Sequence, residues 1–193
     1  SPIDLQRSLP AEVGAVRQFL RPTPLRILNN GHTVQVNADE GSYSEIIGQR
    51  FELLQFHFHH PSEHLLNGES FPLEVHFVHR SAAGHLAVLG VFFREGATNR
   101  ELAKVFNAMP AQVAPERNAG MFVDPERLLP LSRGYFRYMG SLTTPPCSQG
   151  VLWTVFSEPI DASSTQIQQF SSIFSLNARP IQPLNTRFLL HNS

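Results

Sequence analysis

A chain of 193 residues fits one domain and can bury a substantial core. Hydrophobic residues make up 41% and charged residues 16%, which excludes a disordered chain, and the longest apolar run, Leu86–Phe93, is far too short to cross a bilayer as a helix. A formal net charge of −1 without any block of like charge excludes the electrostatic footprint of a nucleic-acid or anionic-membrane binder.

The chain opens at Ser1-Pro2-Ile3-Asp4 with neither an initiating Met nor a charged-then-apolar leader, and so reads as processed or truncated. Arg26–Val36 contains Asn29-Asn30-Gly31, a turn signal that predicts a bend or hairpin. Phe51–His59 alternates, with Gln55, His57 and His59 on one face of a strand and Leu54, Phe56 and Phe58 on the other. Leu73–His79 behaves alike: Glu74, His76 and Val78 share one face, Leu73, Val75 and Phe77 the other. Leu86–Phe93 is apolar throughout, as in a strand covered on both sides. Thr98-x-x-Glu101 predicts a capping box ahead of a helix carrying Leu102, Val105, Phe106 and Met109. Val151–Phe156 predicts another buried strand. Ser163-x-x-Gln166 opens a second helix, with Ile167, Phe170 and Phe174 on one stripe. Strands outnumber helices, and the helices read as peripheral cover.

A catalytic zinc takes three protein ligands and keeps a fourth position open. His57 and His59 leave one strand in the same direction and can grip one ion together. His76 lies 17 residues beyond His59, room for a turn and a returning strand, and is the best third ligand. Ligating histidines usually pass their other N–H to a carboxylate, amide or carbonyl. Gln55 stands two residues before His57 and Glu74 two before His76, each on the same face, and a Glu on a core strand needs such a partner. A lone strand histidine is more often a satisfied structural residue, and His-x-His alone is a weak signal. The second strand with Glu-x-His decides for a metal. His60 and His79 face away by alternation and read as structural.

These stretches resemble a known family. Gln55-Phe-His-Phe-His59, Ser62-Glu63-His64 and Glu74-Val-His76-Phe-Val-His79 are similar to the active-site strands of α-carbonic anhydrases. So are Leu25-Arg-Ile-Leu-Asn-Asn-Gly-His32, Leu86-Ala-Val-Leu-Gly90, Gly140-Ser-Leu-Thr-Thr-Pro-Pro146, Trp153 and Asn177-x-Arg-Pro-x-Gln-Pro-Leu184. The resemblance implies a mainly β (α+β) single domain over residues 1–193. Its central sheet would be large, twisted and mostly antiparallel, with a few peripheral helices and a conical cleft ending at Zn2+. It implies His57, His59 and His76 as zinc ligands, with Gln55, Glu74 and the carbonyl of Asn177 as their partners. Thr143 resembles the residue that accepts the proton of zinc-bound hydroxide, and Glu63 the carboxylate that orients it. His32 resembles the proton shuttle. Val78, Val88, Leu142, Val151 and Trp153, with Thr144, resemble the substrate pocket. Read without the family, Glu63 is a solvated loop carboxylate, His32 an ordinary loop histidine and the aliphatics plain core.

The activity so implied is reversible hydration of carbon dioxide to bicarbonate and a proton, with sulfonamides as inhibitors and a homodimer as one assembly it allows. Bacterial and secreted members often pair a cysteine at the position of Cys147 with one upstream of Ser1. That implies a periplasmic or secreted setting, although Cys147 is the single cysteine here. Gln35 stands where many members have Asn. Two rival readings exist. His57-x-His59-x-x-x-Glu63 also suits a cupin-like iron or manganese enzyme, but no later strand supplies the last histidine. A carbonic-anhydrase-related binding domain without catalysis would typically have lost a zinc histidine, and all three are present.

Overall fold

The protein is described over residues 1–192 by a computed structural model. Eight strands form the body of one 13-stranded sheet: β1 (Thr23–Asn29), β2 (Val34–Asn37), β3 (Gln49–His59), β4 (Leu73–Ser81), β5 (Leu86–Glu95), β6 (Ala114–Val123), β7 (Tyr135–Ser141) and β8 (Gln149–Phe156). They lie in the order β6-β1-β2-β3-β4-β5-β8-β7, continued by the short strands Leu190–Asn192 and Leu9–Pro10. Most neighbours are antiparallel. The exceptions are β5 beside β8, β5 beside Ile160–Ala162, and Leu190–Asn192 beside Leu9–Pro10. The expected mainly β, mostly antiparallel class is therefore what the chain adopts.

Apolar side chains fill both sides of the sheet. Phe56, Phe58, Val75, Phe77, Leu89 and Val91 meet the two helices, α1 (Arg100–Ala108) and α2 (Ser164–Ser171), on one side. Val78, Val88, Phe92, Tyr138, Val151 and Trp153 pack on the other. The two-sided burial read from Leu86–Phe93 is borne out, because its alternate residues enter the two cores. Phe106 of α1 stacks on Phe170 of α2 with centroids 5.3 Å apart, closing the helical layer. A phenylalanine buried to this degree contributes about 2 kcal/mol in transfer free energy.

The Asn29-Asn30-Gly31 signal makes a hairpin between β1 and β2. Asn30 Oδ1 accepts from the amides of His32 and Thr33, both at 2.9 Å, and Gly31 takes a φ of 88° that favours glycine. His32 is thereby set at the turn.

Two local expectations are corrected. Leu54 does not join Phe56 and Phe58 in the core. The pairing of β3 with β4 steps from Leu53–His79 to Gln55–Val78, so Leu54 is the extra residue of a bulge, and Phe51 and Leu53 are buried instead. The α1 cap is Asn99, not Thr98: its Oδ1 accepts from the amides of Glu101 and Leu102 at 3.1 and 3.0 Å. Glu101 is held by Lys104 Nζ at 2.8 Å and by the Asp124 amide. Ser163 and Gln166 do form the expected capping box of α2. No helix among the described residues is long and apolar enough to cross a membrane.

Candidate metal centre

Cross-strand register brings the three histidines together. His57 on β3 is directly opposite His76 on β4, and His59 opposite Glu74. Ring centroids are 5.0 Å apart for His57 and His59, 5.4 Å for His57 and His76, and 4.6 Å for His59 and His76. One ring nitrogen from each lies within 4.8 Å of the others.

Each ring is oriented by its other nitrogen. His57 Nδ1 donates to Gln55 Oε1 at 2.8 Å, His59 Nδ1 to the carbonyl of Asn177 at 3.1 Å, and His76 Nε2 to Glu74 Oε1 at 2.8 Å. The nitrogens left to converge are thus His57 Nε2, His59 Nε2 and His76 Nδ1. His59 Nε2 is buried without any hydrogen-bond partner, a costly state for a polar atom that a metal would relieve. Burial holds His57 well below the usual imidazole range, with His59 and His76 adding to the effect, and burial lowers His59 too. Both are neutral donors, as a metal requires. Burial also acts to lower His76, but the adjoining Glu74 carboxylate outweighs it and the group is raised. The donor set fits a divalent zinc ion: three imidazoles, no thiolate and an open side toward the cleft.

Glu74 is fully buried and takes four donors. Oε1 accepts from His64 Nδ1 and His76 Nε2, and Oε2 from the amides of Glu63 and His64. Burial alone would raise this carboxyl, yet His64 and His76 hold it well below its usual range. His64, Glu74 and His76 therefore form a hydrogen-bonded network rather than a second cation site. His64 Nε2 lies 2.7 Å from the Tyr138 hydroxyl, which extends the network into the core. Sequence reasoning quoted His64 in a motif without assigning it this part. Gly90 of β5 lies opposite His76, and a Cβ there would stand 3.1 Å from Glu74 Oε1, which accounts for a glycine in a buried strand.

The cleft above the histidines has a volume of about 700 Å³ and is lined by His32, Gln35, Gln55, Thr144 and Leu176 among others. An inner recess of about 130 Å³ sits beside His57 and His76, walled by Val78, Val88, Leu142, Thr143 and Trp153. Leu86 also lines it, a residue the sequence did not single out. Val151 is fully buried two residues before Trp153 on the same face of β8, in the cluster that includes Val78, Val88 and Trp153.

Asn177 does more than offer a carbonyl. Its Nδ2 donates to the carbonyls of His32 and Phe58 at 2.9 and 3.0 Å, and its Oδ1 accepts from the His60 amide at 2.7 Å. One side chain thus ties the His32 turn to the metal-facing strand. Glu63 is buried, and its Oε1 accepts from the Arg179 amide at 2.8 Å, while Oε2 has no hydrogen-bond partner and lies 3.8 Å from His76 Nδ1. The structure forms no hydrogen bond between Thr143 and Glu63, although both border the histidine cluster. His60 Nδ1 donates to Pro72 O at 2.8 Å, and His79 bonds Phe77 O and Ser44, so both are structural, as alternation implied.

A sequence profile described as eukaryotic-type carbonic anhydrase matches residues 1–193. A carbonic anhydrase of Nostoc sp. is 47% identical over 98% of this chain and 74% of its own length. One from Pectobacterium atrosepticum is 44% identical over 99% of this chain and 79% of its own. The solved α-carbonic anhydrase of Thermovibrio ammonificans, in complex with the inhibitor sulfanilamide, superposes with a TM-score of 0.95 at 45% identity. That match covers 98% of this chain and 85% of the other. The cupin-like reading falls with these matches. Profile, relatives and fold agree over essentially the whole chain, which therefore belongs to the α-class carbonic anhydrase family and is a carbonic anhydrase.

Proposed function

We propose that His57 Nε2, His59 Nε2 and His76 Nδ1 hold a zinc ion, and that this centre interconverts carbon dioxide with bicarbonate and a proton. Zinc held by neutral imidazoles supplies a Lewis acid that brings the pKa of water at its open position to about 7, an effect for which carbonic anhydrases are the standard example. The single observation carrying the assignment is the set of three oriented ring nitrogens within 4.8 Å, one of them buried and otherwise unpartnered.

The chain's own residues do the rest. Gln55, Glu74 and the Asn177 carbonyl fix the tautomer and direction of each ring, so the donors are placed before any ion arrives. Val78, Val88, Leu142 and Trp153 exclude water from the inner recess, which suits an apolar triatomic substrate better than an ion. Val151 packs in one cluster with Val78, Val88 and Trp153 on the face of β8 that carries Trp153, and Thr144 forms the rim between recess and cleft. Thr143 has a hydroxyl at the recess, and Glu63 Oε2 is the free buried acceptor for its proton. With that proton given to Glu63, the Thr143 oxygen can only accept, which selects a donor on the substrate side. His32 stands exposed on the cleft lip, in reach of both the cleft and bulk solvent, which is where a side chain that passes a proton outward has to be. The same open donor set makes primary sulfonamides the inhibitor class for this chain.

The test joins zinc content with stopped-flow carbon dioxide hydration. The purified protein should hold one zinc per chain and hydrate carbon dioxide, and His76→Ala should lose both together. Activity that persists in the zinc-free His76→Ala protein would refute the assignment.

A further inference from the structure

Three polar side chains connect the cleft wall to the far edge of the sheet. Gln35 on β2 lines the cleft and pairs across strands with His57. Its Nε2 donates to Asn37 Oδ1 at 2.6 Å, and Asn37 Nδ2 donates to Glu116 Oε2 at 2.6 Å. Glu116 belongs to β6, which is not a neighbour of β2, since β1 runs between them. A break in register accompanies this reach. Ala114 pairs with Asn29 and Arg117 with Ile27, so three steps along β6 match two along β1, and Glu116 falls in the bulge. Bulges commonly re-aim a side chain in this way. Arg26, the cation on the intervening strand, is engaged by Asp39 at 3.1 Å, which leaves Glu116 to Asn37.

The chemistry of this chain of contacts has a direction. An ionised carboxylate only accepts, so Glu116 selects the Nδ2 end of Asn37. The Oδ1 end then faces Gln35 and can be met only by Nε2. Nε2 being held on the Asn37 side, Gln35 Oε1 is left free to accept in the cleft, with one further Nε2 hydrogen beside it. Gln55 obeys the same logic in the opposite sense: its Oε1 is taken by His57, so its amide hydrogens are left to the cleft. With a neutral amide at position 116 the chain could run either way, and Gln35 would turn to either end.

We propose that Glu116 is a positioning residue that sets the polarity of the cleft wall, making Gln35 an acceptor beside the donor of Gln55. Water between the histidine cluster and His32 then meets an ordered donor and acceptor pair, which directs its hydrogens along the cleft. This rests on the hydratase reading for its kinetic consequence and not for its structural one.

Glu116 is exposed, so Glu116→Gln should fold as the parent does. Side-chain amide NMR of the parent should show one low-field, slowly exchanging Gln35 Nε2 proton with a through-bond coupling to the Asn37 carbonyl. In Glu116→Gln that signature should be lost or averaged. In weak buffer, kcat for carbon dioxide hydration should fall about 3-fold, the effect of one modest hydrogen bond, with kcat/KM unchanged. In a Gln35→Leu background the same substitution should add nothing, because its effect acts through the amide. Identical Gln35 signals in parent and variant, an unaltered kcat, or an equal loss in the Gln35→Leu background would each overturn the proposal. A parent protein that fails to hydrate carbon dioxide would instead refute the hydratase reading, and the amide spectra would still decide the role of Glu116.

Discussion

His32 and Glu74 are at opposite ends of the site and make different predictions. His32 is on an exposed turn, held only through its backbone by Asn30 and Asn177, so its ring is free to move. His32→Ala should lower kcat in weak buffer by about one order of magnitude or more, the scale of a lost proton-transfer group, and added imidazole should restore it. Equal rates for parent and variant in weak buffer would remove His32 from the proton path. Glu74 is buried beneath His76 and accepts four hydrogen bonds. Glu74→Gln replaces one acceptor oxygen with a donor where only donors approach. Zinc affinity should fall about 10- to 100-fold in a chelator competition. Glu74 was legible in the sequence for a physical reason, its place two before a histidine on a strand, whereas His32 was legible only through the resemblance of its turn to the family's. Asn177 was legible only through the family, because the atom used is a backbone carbonyl, which every residue has.

At the level of elements, the bulge at Leu54 decides what faces the cleft. Period-2 alternation carried from Gln55 to His59 is correct, but continuing it backwards puts Leu54 in the core and Leu53 outside. The extra residue reverses the phase, so Leu53 is 3% exposed while Leu54 lies at a partly open surface. Leu53→Ala should cost about 3 kcal/mol in urea unfolding and Leu54→Ala about 1 kcal/mol or less. The reverse order would mean that β3 runs without the bulge. Helix α1 teaches a related lesson. Thr98 and Asn99 are both good caps by residue type, and the backbone path out of β5 determines which side chain meets the first free amides.

The whole molecule adds a dependence on pH that no single element predicts. His79 of β4 is fully buried, where Nδ1 donates to Phe77 O and Nε2 accepts from the hydroxyl of Ser44 on the strand Tyr43–Ile46. Burial pushes it down to about 4 from 6.5, against a small upward effect of the Phe77 carbonyl. Above pH 6.5 neither the folded nor the unfolded chain holds this proton. As the pH falls from 6.5 toward 4 only the unfolded chain takes it up, so stability drops by about 3 kcal/mol and the loss is complete below 4. His79→Gln should flatten the unfolding free energy over that window in denaturant titrations of the zinc-loaded protein. An unchanged slope would show that His79 is not the group responsible. What could be read from residues alone was local and periodic: two alternating strands, the face His57 shares with His59 on one and the face Glu74 shares with His76 on the other, the turn before His32 and the cap of α2. Side-chain direction repeats every two residues along a strand, so such facts need no partner strand. Register, the Leu54 bulge, the carbonyl of Asn177 and the reach of Glu116 across β1 were settled only by tertiary structure. Each depends on which distant backbone lies alongside, and no local repeat encodes that.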